Sequence, residues 1–352
     1  MQTILVLFGG VSPEHEVSLV SGTAVLNNLN KEGRRILPVG ITKEGKWLLF
    51  GGENYDDIAA QKWEDNPANK RAFLSPETGV GLRVITGDKI ETVPVDLIFP
   101  VLHGENGEDG SIQGLFQLTQ IPFVGCGVCA AAASMDKSVT KLIAATTGVR
   151  QAEWLTLRRT KFEKDPGAMC AKIMEKLAFP LFIKPCSTGS SVGVSKVKNE
   201  EQLLPALQTA FKFDKKILAE EFINGKEIEV AVLGNEEPVA ATAGEIDAGA
   251  EFYDYETKYV TSTSTPYIPA RIDDQTMKDV RKWAVKIFTA LGCTGLSRVD
   301  FFVTRDTNEI VFNEINTLPG FTSISMYPKM WAADGVGFSE LLDRVIALAL
   351  EV

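Results

Sequence analysis

The sequence predicts a mixed α/β and α+β protein. An N-terminal domain with a doubly wound parallel sheet spans residues 1–125, a central lobe 126–219 and a C-terminal lobe 220–352. Three observations carry this prediction. The chain has 352 residues, 45% hydrophobic and 23% charged, enough for two or three domains with their own cores. In the first third, apolar runs alternate with helical patterns and end at glycine, as in a parallel sheet whose ligand edge lies at the strand carboxyl ends. In the last third, apolar runs follow one another and predict antiparallel strands.

Residues 3–8 form an apolar run closed by Gly9-Gly10 and followed by a helical pattern over 17–29, which reads as strand, turn and helix. A second apolar run, 93–102, leads into the Gly-rich HGENGEDG of 103–110 and a helix over 112–118. A third, 121–124, ends at Gly125-Cys126-Gly127. Residues 50–90 are polar and turn-rich, and read as a peripheral insertion. Beyond 137 come a helix at 141–147, strands at 180–184 and 192–197 around a Gly/Ser loop, and a helix at 200–212. Strands at 217–222, 228–233 and 239–246 precede an aromatic, charged segment, 252–259, that reads as a lid. A helix at 274–291 and a strand pair, 295–303 and 309–316, follow.

Net charge is −10, so no long-range field gathers polyanions, and nucleic-acid or anionic-membrane binding is disfavoured. The first residues lack the basic stretch of a signal peptide, no apolar run approaches the ~20 residues of a membrane span, and a cytoplasmic location is expected. Five cysteines are an odd count for a disulfide framework, and reduced thiols are expected.

The strongest chemical signal is Arg298-Val-Asp300 followed by Glu314-Ile-Asn316. Alternation along a strand puts Arg298 with Asp300 on one face and Glu314 with Asn316 on one face. If 305–308 turns a hairpin, three hard oxygen donors meet, a set suited to Mg²⁺ carrying phosphates. The competing reading is a solvated face with paired charges. Phe301, Phe302 and the apolar 310–312 weigh against it, because carboxylates among apolar strands need a partner. Lys184 to Gly193 (KPCSTGSSVG) offers backbone N–H groups and a point charge to an anion, or is a plain hairpin turn.

Several matches fail on context. Residues 189–193 fit G-x-S-x-G, but the only histidines, His15 and His103, precede the serine instead of following it. Residues 40–46 fit the start of a P-loop, with Trp47 where a hydroxyl is needed. Gly125-x-Gly127-x-x-Ala130 lacks a following acidic-ended strand, which disfavours NAD. Cys126 and Cys129 lack a second pair for zinc. Ser134 to Lys137 opens a helix, and alone is a cap. Glu220, Glu221 and Ile223 end an apolar strand whose backbone edge suits an adenine, with Glu227 placed for ribose hydroxyls; a turn with surface charge is the alternative.

Taken together, these residues resemble the D-alanine–D-alanine ligases of the ATP-grasp superfamily. The likeness runs collinearly through Gly9-Gly10-x-Ser12-x-Glu14-x-Glu16-Val17-Ser18, His103-Gly…Gly-Glu-Asp-Gly110, Met135-Asp-Lys137, Lys184-Pro…Gly193, Tyr255-x-x-Lys-Tyr259, Arg298-x-Asp300 and Glu314-x-Asn316 to Ser325. It implies an ATP-grasp fold and ATP-driven joining of two D-alanines through an acyl phosphate, for cell-wall peptidoglycan and cell shape. It also implies two Mg²⁺ (or Mn²⁺) held by Asp300, Glu314 and Asn316, phosphate contacts from Lys137 and Lys184, and adenosine contacts from Glu220, Glu221, Ile223 and Glu227. Glu14, oriented through Ser190 and Tyr259, would bind the first ammonium, with His103 nearby. Arg298 and the Gly320 N–H would stabilise the oxyanion, Ser325 and the Met326 backbone would receive the second carboxylate, and Lys258 and Tyr259 would close the lid. A homodimer follows by the same resemblance. Glu221, where relatives often carry Lys, and Ile324, often His, depart from the pattern. Tyr259 favours an amine acceptor over D-lactate and Met326 leans towards D-alanine, with a D-serine or D-lactate ligase and a non-catalytic nucleotide sensor as alternatives.

Overall fold

The computed structural model describes residues 1–247, 265–322 and 324–351, so Lys258, Tyr259 and the expected lid lie outside the described residues. The first unit runs β1 (Gln2–Gly9), α1 (His15–Asn28), β2 (Arg34–Ile41), β3 (Trp47–Leu49), α2 (Asp56–Ala59), β4 (Lys70–Leu74), β5 (Leu82–Thr86), β6 (Lys89–Val93), β7 (Leu97–Leu102) and α3 (Ser111–Thr119). Its sheet has the order β6-β5-β4-β3-β2-β1-β7. Only β2, β1 and β7 are parallel; β3 to β6 continue the sheet antiparallel.

The expectation of a peripheral insertion at 50–90 is therefore corrected. That segment supplies β4, β5 and the start of β6, three of the seven strands, and inserts Trp63, fully buried, edge-on to Phe8 with ring centroids 5.1 Å apart. Gly40 makes the room: a Cβ there would stand 2.2 Å from the indole. The strand expected at 121–124 shrinks to a single parallel bridge, Ile98 to Phe123, because Pro122 has no N–H to extend a ladder. The single run expected at 239–246 divides into two short strands, β14 and β15 below.

The second unit holds α4 (Val128–Met135), α5 (Lys137–Ala145), β8 (Arg150–Gln151), β9 (Trp154–Arg158), α6 (Arg159–Lys164), α7 (Pro166–Lys176), β10 (Leu181–Pro185), β11 (Ser195–Val197), α8 (Glu200–Phe213) and β12 (Lys216–Glu221). An antiparallel sheet, β11-β10-β12-β9, packs its inner face on α7 and α8 through Ile173, Leu181, Ile183, Leu207 and Ile217. The third unit holds β13 (Gly225–Gly234), β14 (Val239–Ala240), β15 (Gly244–Asp247), β16 (Thr265–Tyr267), α9 (Asp274–Ala290), β17 (Gly295–Thr304), β18 (Ile310–Asn316), α10 (Met326–Ala333) and α11 (Phe338–Leu350). Its sheet runs β16-β15-β13-β17-β18-β8, with β14 beside β13. Residues 126–151, read from sequence with the central lobe, pack here: Cys126, Ala130, Ala144 and Val149 share a core with Phe288, Val299 and Phe312.

A further core joins the first and third units. Phe8, Val25 and Phe99 pack with Phe321, Tyr327, Trp331, Leu342 and Val345. Apolar burial on this scale fixes the carboxyl ends of β1 and β7 against residues 318–325 and closes one wall of a cleft.

Candidate active site

Four segments meet at that cleft. The loop after β1 is held by Ser12, whose Oγ donates to the His103 carbonyl (2.9 Å) and accepts the Glu14 N–H (3.1 Å). The His103 ring is buried, with Nε2 3.0 Å from Ser21 Oγ. Burial holds its pKa below the usual range, against the pull of Glu14 and a contact to the Leu318 backbone. Neutral His103 thus pins α1, the 103–110 loop and the 318 segment together.

Gly104 is squeezed between two carboxylates. Its φ is +71°, a Cβ would stand 2.3 Å from Glu14 Oε2, and its N–H donates to Glu108 Oε2 at 2.7 Å. Glu108 was not among the residues singled out from sequence, although HGENGEDG contains it. Burial, then the charge of Glu14, push its carboxyl up to about 8, while the Gly104 and Leu318 backbone and Arg298 oppose the rise. A raised carboxyl binds its proton more tightly folded than unfolded, so stability falls as pH climbs from the ordinary carboxyl range towards 8. Glu108→Gln is expected to flatten that decline and to be more stable by about 1–3 kcal/mol above pH 8, read as melting temperature against pH.

The Gly/Ser loop between β10 and β11 reaches across to Glu14, where Ser190 Oγ donates to Oε1. Ser190 and Ser191 have φ of 48° and 58°, a left-handed pair that sharply turns the loop tip. Gly189 permits the approach, since a Cβ would lie 2.9 Å from Glu14 Oε2. Lys137, at the start of α5, fastens the loop: its Nζ donates to the Thr188 carbonyl (2.8 Å), and its N–H to the Cys186 carbonyl (2.9 Å). Asp136 caps this helix through Ser138 N–H, as the sequence suggested.

The predicted hairpin is formed. Asp300 stands opposite Glu314 and Arg298 opposite Asn316, with a register shift between Asp300 and Phe301. Arg298 grips Asp300 with both arms, Nε to Oδ1 at 2.8 Å and Nη2 to Oδ2 at 2.7 Å, and its Nε lies 3.2 Å from Glu229 Oε2. Asn316 Nδ2 donates to Asp300 Oδ2 (3.1 Å), and Lys137 Nζ is 3.7 Å from Glu314. Burial first, then Glu229 and Glu314, push the Asp300 carboxyl up to about 7, with Arg298 opposing.

Among the described residues no three His, Cys, Asp or Glu side chains stand ready as a metal-binding group. The donor chemistry still fits a hard divalent cation: two carboxylates and an amide oxygen, all oxygen donors, in a place where burial and neighbouring carboxylates raise the Asp300 carboxyl against the pull of Arg298. Glu229, buried beside Arg298, is one of those carboxylates and was not singled out from sequence.

Among the residues expected at the nucleotide, the Glu220 carboxylate is engaged within the protein: it is buried between Lys141 Nζ and Lys184 Nζ, each 2.5 Å away. Two adjacent cations, outweighing burial, drive it down to about 2. Glu221 is likewise engaged, accepting the Glu153 N–H (3.0 Å) and pairing with Arg150 (3.5 Å). Ile223 is buried with Ala152 and Val311, and Glu227 opens β13 opposite Phe302. At the acceptor end, Ser325 Oγ accepts the Thr322 N–H (3.0 Å), and a Cβ on Gly320 would stand 2.8 Å from it. The Met326 side chain points away: it is buried, with its Cε where a Cβ of Gly244 would be. The Met326 backbone stands at the start of α10.

Comparison with known families decides the grouping. The model of the D-ala D-ala ligase N-terminus matches residues 3–126, and that of the C-terminus matches 143–347. The chain belongs to the D-alanine–D-alanine ligase family. It is 46% identical to the D-alanine–D-alanine ligase of Acetivibrio thermocellus, covering 99% of this chain and 96% of the relative. Identity is 47% to that of Ruminiclostridium cellulolyticum, over 99% and 95%. Among solved structures, the VanG D-Ala:D-Ser ligase of Enterococcus faecalis superposes with a TM-score of 0.90 at 42% identity over 99% of both chains. The D-alanine-D-alanine ligase of Coxiella burnetii gives 0.85 at 32%, over 99% and 94%. The three units of this family member are thus the ATP-grasp arrangement that the motifs suggested.

Proposed function

We propose that this enzyme joins two D-alanines at the expense of ATP, releasing ADP, phosphate and D-alanyl-D-alanine for peptidoglycan. One observation carries the reading. The Glu14–Ser190 contact and the Arg298–Asp300–Glu314–Asn316 hairpin, far apart in sequence, are tied together: Lys137 joins Thr188 of the Gly/Ser loop to Glu314, and Glu108 lies within the influence of Glu14, Arg298 and the Leu318 backbone.

Glu14 would bind the ammonium of the first D-alanine. Its carboxylate is aimed by the Ser190 hydroxyl from one side and seated on Gly104 from the other. Lys137 and Lys184 would meet the phosphates beneath the Gly/Ser loop. Magnesium, when held by Asp300, Glu314 and Asn316, would neutralise phosphate charge during transfer. Arg298 has Glu229 as a second partner beside Asp300. Arg298 and the Gly320 N–H would then face the oxyanion formed when the second amine attacks the acyl phosphate. The Met326 N–H at the head of α10, with Ser325, suits a carboxylate. Dependence on ATP supports a cytoplasmic enzyme; the homodimer rests on the family alone.

A D-serine acceptor is the second reading, favoured by the close superposition on a D-Ala:D-Ser ligase. ADP release coupled to NADH oxidation, with D-alanine alone and then with D-serine or D-lactate as competing acceptor, separates them. D-Alanyl-D-alanine is expected as the main product at neutral pH, and a mixed dipeptide or depsipeptide in excess would reject it.

A further inference from the structure

We infer that Lys141 is a positioning residue for the nucleotide: it holds the Glu220 carboxylate so that Lys184 can leave it for a phosphate. This rests on the reading that Lys184 contacts the phosphates of ATP. Lys141 lies one helical turn after Lys137 on α5, so the two lysines project from one face of the helix. Lys137 reaches the Gly/Ser loop and Glu314, whereas Lys141 reaches inward to Glu220. Its side chain is 3% exposed and that of Glu220 4%, and the ammonium also lies 5.1 Å from the Trp154 ring centre.

Charge counting gives the argument. One buried carboxylate is in direct contact with two ammonium groups. A structural ion pair needs one lysine; the second, Lys184, also feels the longer-range pull of Glu314 and Glu227 and is the one placed to exchange Glu220 for a phosphate. Lys184 is the one free to move, because its side chain is 14% exposed and lies within the influence of Glu314 and Glu227 across the cleft. If Lys184 left a carboxylate with no other partner, it would strand a buried charge, an arrangement that costs several kcal/mol. Lys141 removes that penalty. Without it, Lys184 stays locked on Glu220 and the phosphates lose their contact.

The test uses the full chain and measures KM for ATP, KM for D-alanine, kcat and ADP affinity by calorimetry. Lys184→Met comes first and is expected to raise the ATP KM by about tenfold or more. Lys141→Met is expected to raise the ATP KM and weaken ADP by about tenfold, with the D-alanine KM within about twofold of the wild type. Adding Glu220→Gln to Lys141→Met frees Lys184, and the double variant is expected to match Glu220→Gln alone in ATP KM within about threefold, because Lys141 then has no carboxylate to hold. A packing role predicts instead that D-alanine and ATP parameters fall together and that the double variant stays well below Glu220→Gln alone in both. If Lys141→Met does not fold, the charge-balanced double variant decides: a loss of ATP affinity of about tenfold relative to Glu220→Gln alone overturns the inference. A normal ATP KM in Lys141→Met beside an impaired Lys184→Met overturns this inference only. A normal ATP KM in Lys184→Met overturns the phosphate reading and this inference with it.

Discussion

Asp300→Ala is expected to cut D-alanine-dependent ADP release by about a thousandfold or more while the chain stays folded. Asp300 is the donor that the rest of the hairpin serves: Asn316 donates to it, Arg298 grips it with two arms, and Glu314 faces it across the ladder. Its loss removes one of two carboxylates from the oxygen set, and neither Glu314 nor the Asn316 amide can replace it in place or charge. Stability follows a different rule. Burial holds this carboxyl at about 7, so the folded state binds its proton more tightly than the unfolded chain does, and its contribution falls as pH rises towards 7. Alanine removes that liability, and Arg298 keeps Glu229 as a partner 3.2 Å away. Near pH 7.5 a melting temperature within a few degrees of the wild type is expected. Unchanged ADP release in this variant would refute the metal assignment. A wild-type chain that binds ATP and releases no ADP with D-alanine would favour the nucleotide sensor.

The hairpin was legible because its signal is local and periodic. Alternation places side chains two apart on one face, and carboxylates among phenylalanines demand a partner whatever the fold. The N-terminal strand–Gly–helix segments were legible for a similar reason. Residues 50–90 were not: β4 to β6 are five residues long, β6 is largely exposed, and the segment's core contacts are long-range, with Ala72, Leu74, Leu82 and Val84 packing on Leu5, Leu7 and Val39, and Trp63 meeting Phe8 over Gly40. Nothing in the local sequence announces that contact. Lys141 and Glu229 were missed because a lysine on a helix or a glutamate in a strand reads as solvent-facing. Only the third dimension brings Lys141 to Glu220 and Glu229 to Arg298.

Arg298→Lys gives the second large effect, expected as a loss of about 100-fold to 1,000-fold in kcat with the KM for ATP little changed. The substitution keeps the charge and removes the fork. Arg298 now spends Nε and Nη2 on Asp300 while Nε also approaches Glu229, so three contacts from two nitrogens of a planar group fix its orientation between two strands. An ammonium is a point charge without that plane, and it cannot satisfy Glu229 and Asp300 while presenting an N–H to an oxyanion. On the proposed reading the phosphates of ATP meet Lys137 and Lys184, not Arg298, so the effect should fall on turnover. Arg298→Ala would confuse the result, because it leaves Glu229 and Asp300 buried side by side without a counter-charge, a change that destabilises by about 3–5 kcal/mol. Lysine avoids this, and a variant retaining more than about half of the wild-type kcat would remove Arg298 from the oxyanion and return it to the role of a structural clamp between β13 and β17.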